Sequence, residues 1–183
     1  MGFSVSPPSP VLFLVAAFSR HDGALDWART RMELVWGPIA LESPRFDFAD
    51  TNYYDASMGS GLKKTFFAWE RPVDPGVLAE RKLTSNAWEA EYAGLGLAGE
   101  PRPLNLDPGY IALGKLVLAS TKDFAHRIYL AHGIFAEITL YYRHGQWETH
   151  PWTFPDYRRP EYHAFFNRCR DYLHRLLRAE RDR

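Results

Sequence analysis

The stretch Arg127–Thr149, RIYLAHGIFAEITLYYRHGQWET, decides how this chain is expected to fold. Two tripeptides, Ala131-His132-Gly133 and Arg143-His144-Gly145, end in glycine and separate runs rich in β-branched and aromatic residues. The last position of a three-residue hairpin loop lies in the left-handed region, which glycine enters without steric cost. The spacing therefore predicts a meander of three strands, Ala125–Leu130, Ile134–Tyr142 and Gln146–His150. A three-residue first loop sets Leu130 opposite Ile134 and Ile128 opposite Ala136. Ile134, Ala136, Ile138 and Leu140 then share an apolar face. On the other face Arg127 stands across from Glu137, and Tyr129 across from Phe135. A two-residue loop would mix polar and apolar residues on both faces, so the pattern selects the longer loop. The same loop length downstream sets Tyr141 against Trp147 and Thr139 against Thr149.

Beyond the meander, Tyr162, Phe165, Phe166, Cys169, Tyr172, Leu173, Leu176 and Leu177 recur at helical spacing and predict an amphipathic C-terminal helix. Upstream, Val11–Ser19 is apolar on both faces, the mark of a central strand covered on two sides. Asp22 is placed to cap a helix carrying Leu25, Ala28, Met32 and Val35, which Gly37-Pro38 stops. Phe46–Phe48 and Lys64–Trp69 read as strands around a loop, Thr51–Gly61. Asp74-Pro75 opens a second helix with an inner stripe of Ala79, Leu83, Ala87 and Ala90 that ends near Gly94. Asn105–Tyr110 holds a Pro-Gly turn, and Tyr110–Ala119 adds a further strand. The fold class expected is α+β: a single mixed, mostly antiparallel sheet with a ferredoxin-like βαββαβ start, a C-terminal β-meander and a packed C-terminal helix. Residues 1–10, rich in Ser and Pro, read as a disordered leader, and 11–183 as one domain.

The composition narrows the function classes. Twenty-two basic and 22 acidic side chains give a net charge of zero, so no overall field draws the chain to nucleic acid or to an anionic membrane. The charge is uneven, however, with eight Arg against five acids in residues 156–183. A single cysteine, Cys169, excludes an internal disulfide and a multi-cysteine zinc site, and suits a reducing, cytosolic compartment. On the apolar stripe of the last helix it reads as an inert buried thiol. Val11–Phe18 is too short to span a bilayer. Met1–Ser6 has the form of a myristoylation signal, although a plain leader explains it as well. No pair of histidines has the spacing of a helical zinc site, and no metal or cofactor is assigned.

The polar side of the meander does not resemble core. If the strand through Lys115 turns Leu116 and Leu118 inward, then Lys115, Thr121, Arg127, Glu137, Thr139 and Thr149 share one face, framed by Tyr129, Tyr141 and Trp147. Arg offers a planar fork and Lys a point charge to a phosphate or carboxylate, and the aromatic rings suit a flat ring attached to it. Lys115, Thr121, Lys122, Arg127, Tyr129 and Thr139 are therefore candidate ligand-binding residues. Glu137 is a candidate to orient Arg127, bind a hydroxyl or act as a general base. Asp107, at the mouth of the strand leading to Lys115, is a second candidate acid–base group. The same pattern also fits an ordinary solvent-facing sheet with cross-strand Arg–Glu and Thr–Thr pairs.

Several runs resemble a known family. Asn105–Tyr110 (NLDPGY), Lys115–Lys122 (KLVLASTK), His126–Leu130 (HRIYL), Gly133–Leu140 (GIFAEITL), Trp152–Arg158 (WTFPDYR) and Thr51–Trp69 are similar, in the same order, to the bacterial family called domain of unknown function 4416. The resemblance implies no particular activity. Some members carry a GTP-binding label, which this chain, without a phosphate-loop motif, does not support. The resembling runs do contain Lys115, Thr121, Lys122, Arg127, Glu137 and Asp156, which strengthens the case for a ligand site.

Two functions of different class follow. One is a small-molecule site, binding or catalytic, for a phosphorylated or carboxylated metabolite such as a nucleotide. The other is a non-enzymatic module whose C-terminal Arg158, Arg159, Arg168, Arg170, Arg175 and Arg178 contact RNA or an acidic protein. A pocket, rather than a flat surface, would favour the first.

Overall fold

The computed structural model describes residues 5–51 and 53–182. Its strands are β1 (Leu12–Ser19), β2 (Ile39–Glu42), β3 (Phe46–Phe48), β4 (Leu62–Trp69), β5 (Asn105–Ala112), β6 (Lys115–Ser120), β7 (Ile128–Ala131), β8 (Ile134–Arg143) and β9 (Gln146–Thr149). The helices are α1 (Asp22–Trp36), a single turn α2 (Asp55–Met58), α3 (Leu78–Gly94) and α4 (Pro160–Arg181). The strands form one open sheet ordered β2-β4-β1-β5-β6-β8-β7, with β3 also on β4 and β9 also on β8. Every pairing is antiparallel. The helical connections explain why: α1 carries the chain from β1 past β4 to β2, and α3 carries it from β4 past β1 to β5. Strands that would run parallel are thus never neighbours.

β1 is buried along its whole length because both faces of the sheet are covered around it. Phe13, Val15 and Ala17 lie under α1 and α3, against Leu25, Met32, Leu78 and Trp88. Leu12, Leu14 and Ala16 lie under α4, against Phe165, Phe166, Cys169 and Leu173. The α4 stripe sits where the sequence spacing sets it, and burial pushes the Cys169 thiol pKa well up. Residues 5–10 are exposed without regular structure, while residues 1–4, most of the myristoylation pattern, lie outside the described residues. No described helix is long and apolar enough to cross a membrane.

Four local expectations change. First, both meander turns have two residues, His132-Gly133 (φ 54° and 76°) and His144-Gly145 (φ 50° and 83°), the double positive φ of a type I′ hairpin. In the first, an extra residue at Leu130 restores Ile128 opposite Ala136. In the second nothing compensates, so Trp147 pairs with Tyr142 and Thr149 with Leu140. Trp147 is therefore buried under α4 and does not frame the polar face.

Second, β8 carries a bulge. Leu140 pairs with Leu116 and Ile138 with Val117, leaving Thr139 between them unopposed. The side chains on either side of it consequently switch faces: Ile134 packs under the α1/α3 layer and Leu140 under α4. Third, Asn105–Ala119 is two strands joined at Leu113-Gly114, and Pro108-Gly109 lies inside β5 rather than in a turn. Fourth, the inner face of α3 is Leu78, Ala79, Lys82, Ser85, Trp88 and Tyr92, while Leu83, Ala87 and Ala90 face outward. Trp88 and Tyr92 offer more apolar area than alanines, so they set the helix's rotation and carry Lys82 inward with them.

Candidate functional site

The sheet opens between β5 and β6. β5 follows β1 from Ile111 back to Asn105, but joins β6 only through Gly109–Ala112. At the fork a Cβ on Gly109 would stand 2.3 Å from the Val117 carbonyl oxygen, so only glycine lets the strands meet there. Below the fork, α3 supplies what the missing strand would have given. Leu106 donates its N–H to Glu89 Oε1 at 2.7 Å, and its carbonyl accepts from Lys82 Nζ at 2.8 Å. Pro108 has no N–H to satisfy.

These contacts close into a ring. Lys82 Nζ donates to Asp107 Oδ1 (3.2 Å), and Asp107 Oδ2 accepts from Asn105 Nδ2 (2.8 Å). Asn105 Oδ1 accepts from Arg102, and Arg102 Nη2 donates to Glu89 Oε2 (2.9 Å), which returns the chain to Leu106. Two basic and two acidic side chains close the ring, and their surroundings push the proton affinities of the two carboxyl groups apart. Burial lifts Glu89 above its ordinary value, with Lys82 and Arg102 opposing it only in part. Burial also works against ionised Asp107, but Lys82, Lys64 and the hydrogen bonds from Lys82 and Asn105 outweigh it and hold its pKa below the ordinary value.

The ring forms one wall of a cavity of about 680 Å³. A second wall holds Lys64 Nζ against Asp156 Oδ2 at 2.6 Å, the side chains 4% and 5% exposed. The ammonium sits among Phe48 and Tyr157, 4.7 and 4.6 Å from the ring centres, and Phe18 at 5.3 Å. The third wall is the segment 120–127, pinned by Arg127. Arg127 Nε donates to Glu137 Oε2 (2.8 Å), and Nη1 donates to Ser120 Oγ and to the Lys122 carbonyl (2.8 and 2.9 Å). Glu137 is only 1% exposed and also accepts from Thr139 Oγ1. His126 Nε2 stands 3.2 Å from Glu137 Oε2, so the two oxygens are spent on Arg127, His126 and Thr139. At the mouth Lys122 Nζ meets the Tyr53 hydroxyl at 2.6 Å.

Of the residues singled out in the sequence, Asp107, Thr121, Lys122, Arg127 and Glu137 line this cavity. Thr139 is buried behind Glu137, its carbonyl taken by Thr153 Oγ1 at 2.6 Å. Lys115 and Tyr129 do not join them. Lys115 pairs with Tyr141 at the far end of β6 from Ser120, about 16 Å away at ~3.3 Å per residue. It also points away from the side on which Leu116 packs. A cluster of Lys115, Arg127 and Glu137 is therefore excluded, leaving the Arg127–Glu137 pair. Tyr129 is exposed on edge strand β7 and rests on Phe135.

Reading from the sequence overlooked Lys64, Lys82, Glu89 and Arg102. A search of α3 for buried charge opposite a polar strand would have found Lys82 and Glu89. Lys64 lies on a strand that otherwise reads as plain core. The basic C-terminal segment is partly spent on the fold. Arg158 holds the 149–153 turn, Arg159 binds the Asp47 carbonyl and Glu161, and Arg170 caps the Leu113 carbonyl.

Residues 9–172 match the family described as Domain of unknown function (DUF4416). The chain belongs to that family. The DUF4416 match takes in every strand and most of α4, so the fork, the ring and the whole cavity lie within it. Neither curated proteins nor solved structures give a match to the chain.

Proposed function

We propose that the protein binds a small phosphorylated or carboxylated metabolite in the cavity at the β5–β6 fork. The observation that carries this reading is the convergence of Lys64, Lys82, Arg102, Lys122 and Arg127 on one concave site. Among the described residues, Arg102 Nη1 and Arg127 Nη2 donate to no protein acceptor. A guanidinium already oriented by a carboxylate loses little freedom when an anion arrives, and it presents a fork matched to phosphate or carboxylate. Phe124, Phe154 and Tyr53, part-exposed around the mouth, offer apolar cover to the rest of the ligand.

Isothermal titration with ribose 5-phosphate, 2-oxoglutarate, adenosine monophosphate and inorganic phosphate tests the reading. At least one should bind saturably. Lys122→Gln, an exposed change that leaves the fold in place, should weaken it about 10–100-fold, the value of one charge-assisted hydrogen bond. No binding across the panel would sink the reading. The alternative, an RNA or acidic-protein module built on the last helix, loses support because Arg158, Arg159 and Arg170 are engaged within the chain. Steep weakening of RNA binding between low and moderate salt would revive it.

A further inference from the structure

We propose that the ring at the fork is catalytic, with Asp107 as general base and Glu89 as general acid moving a proton on a carbon acid, and Lys82 holding the oxygen that gains charge. The inference rests on the cavity being a metabolite site and adds the chemistry done there.

Position comes first. Asp107, Glu89 and Lys82 all line the cavity, and Lys82 Nζ contacts Asp107 directly. Lys82 spends two of its three N–H groups, on the Leu106 carbonyl and on Asp107. The third has no protein acceptor among the described residues. A ligand carbonyl placed there would have its oxygen against an ammonium and its neighbouring C–H against a carboxylate. That is the arrangement proton abstraction next to a carbonyl requires. Asn105 and Lys82 fix the Asp107 carboxylate through its two oxygens, and Arg102 with the Leu106 N–H does the same for Glu89. Neither group has to search for its geometry.

The chemistry balances without a cofactor. Asp107 takes the proton from the carbon next to the carbonyl, and the C–H electron pair becomes the enolate, its oxygen held by Lys82. Glu89 then delivers its proton to the enolate system, at carbon or oxygen, which gives an isomerised or epimerised product. Asp107 is left protonated and Glu89 ionised. Exchange with solvent at the open side of the cavity restores both. Burial raises the proton affinity of Glu89, while Lys82, Lys64 and Asn105 lower that of Asp107, so of the two carboxyl groups Glu89 takes up a proton more readily.

The exchange step gives the test. The full chain is incubated in D2O with ribose 5-phosphate, glyceraldehyde 3-phosphate and 2-oxoglutarate, and loss of the α C–H signal is followed by proton NMR, with binding measured in parallel. The expected result is exchange of at least one probe well above buffer alone. It should fall by roughly 100-fold or more in Asp107→Asn and in Glu89→Gln, as general acid–base catalysis is worth. A probe that binds but never exchanges overturns the catalytic inference and leaves the binding reading standing. No binding of any probe overturns both. Exchange that survives either substitution also overturns the inference. If either variant fails to fold, the wild-type pH profile decides: the rate should rise as Asp107 ionises and fall as Glu89 does, and a flat profile refutes the pair.

Discussion

Lys64→Met isolates the buried pair beside the cavity. The substitution keeps most of the apolar stem but removes the ammonium, which lies 2.6 Å from Asp156 and over the rings of Phe18, Phe48 and Tyr157. Asp156 is 5% exposed, and no other side chain among the described residues donates to it. Losing one partner of such a pair costs about 3–5 kcal/mol, because the remaining charge stays out of water unpaired. For a chain of this length that lowers Tm by roughly 6–20 °C, at about 2–4 °C per kcal/mol. Asp156→Asn should cost less, since its amide oxygen can still accept from Lys64 and the rings still face the ammonium. The double variant Lys64→Met/Asp156→Leu, which removes both charges, should recover most of the loss. Urea unfolding of the wild type, Lys64→Met, Asp156→Leu and their double variant as a double-mutant cycle measures the coupling. A cost under ~1 kcal/mol for Lys64→Met, or a double variant as unstable as the sum of the singles, would refute the reasoning.

Three further outcomes follow. Arg127→Gln leaves buried Glu137 with only His126 and Thr139 as partners, so stability should drop by about 1–3 kcal/mol. Amides of residues 121–126 should exchange faster than those of β8; unchanged exchange there would show that Arg127 does not pin the wall. Gly109→Ala sets a Cβ 2.3 Å from the Val117 oxygen and should cost about 1–3 kcal/mol by overpacking; equal urea midpoints would contradict the close approach. Asp107 titrates below its ordinary 3.8 in the fold, so its contribution is present above pH 3.8 and is lost as pH falls through the folded value. Asp107→Asn should flatten that acid limb in stability measured from pH 5 to 2, and an unchanged limb would remove Asp107 as its cause.

What the sequence determined by itself is what local spacing records. The double-sided apolar run of β1, the stripe of α4 and the glycine-ended turns each state their element within a few residues. The Arg127–Glu137 pair was also legible, because residues ten apart on one hairpin are joined by a single turn. Its register, taken from the need to keep one face apolar, held because a bulge at Leu130 offset the shorter turn, but the apolar face did not, since Ile134 and Leu140 pack on opposite sides of the sheet.

Tertiary structure decided the rest. An inserted residue such as Thr139 has no composition of its own, yet it moves every later side chain of β8 to the other face, so the face shared by Lys115 and Glu137 could not survive. The rotation of α3 was settled by where Trp88 and Tyr92 found area to bury, and that rotation brought Lys82 and Glu89 to a gap in the sheet. Lys64 and Asp156 lie 92 residues apart. Nothing near either one announces the other, since a buried charge is tolerated only through a partner that the folded chain, not its neighbours in sequence, supplies.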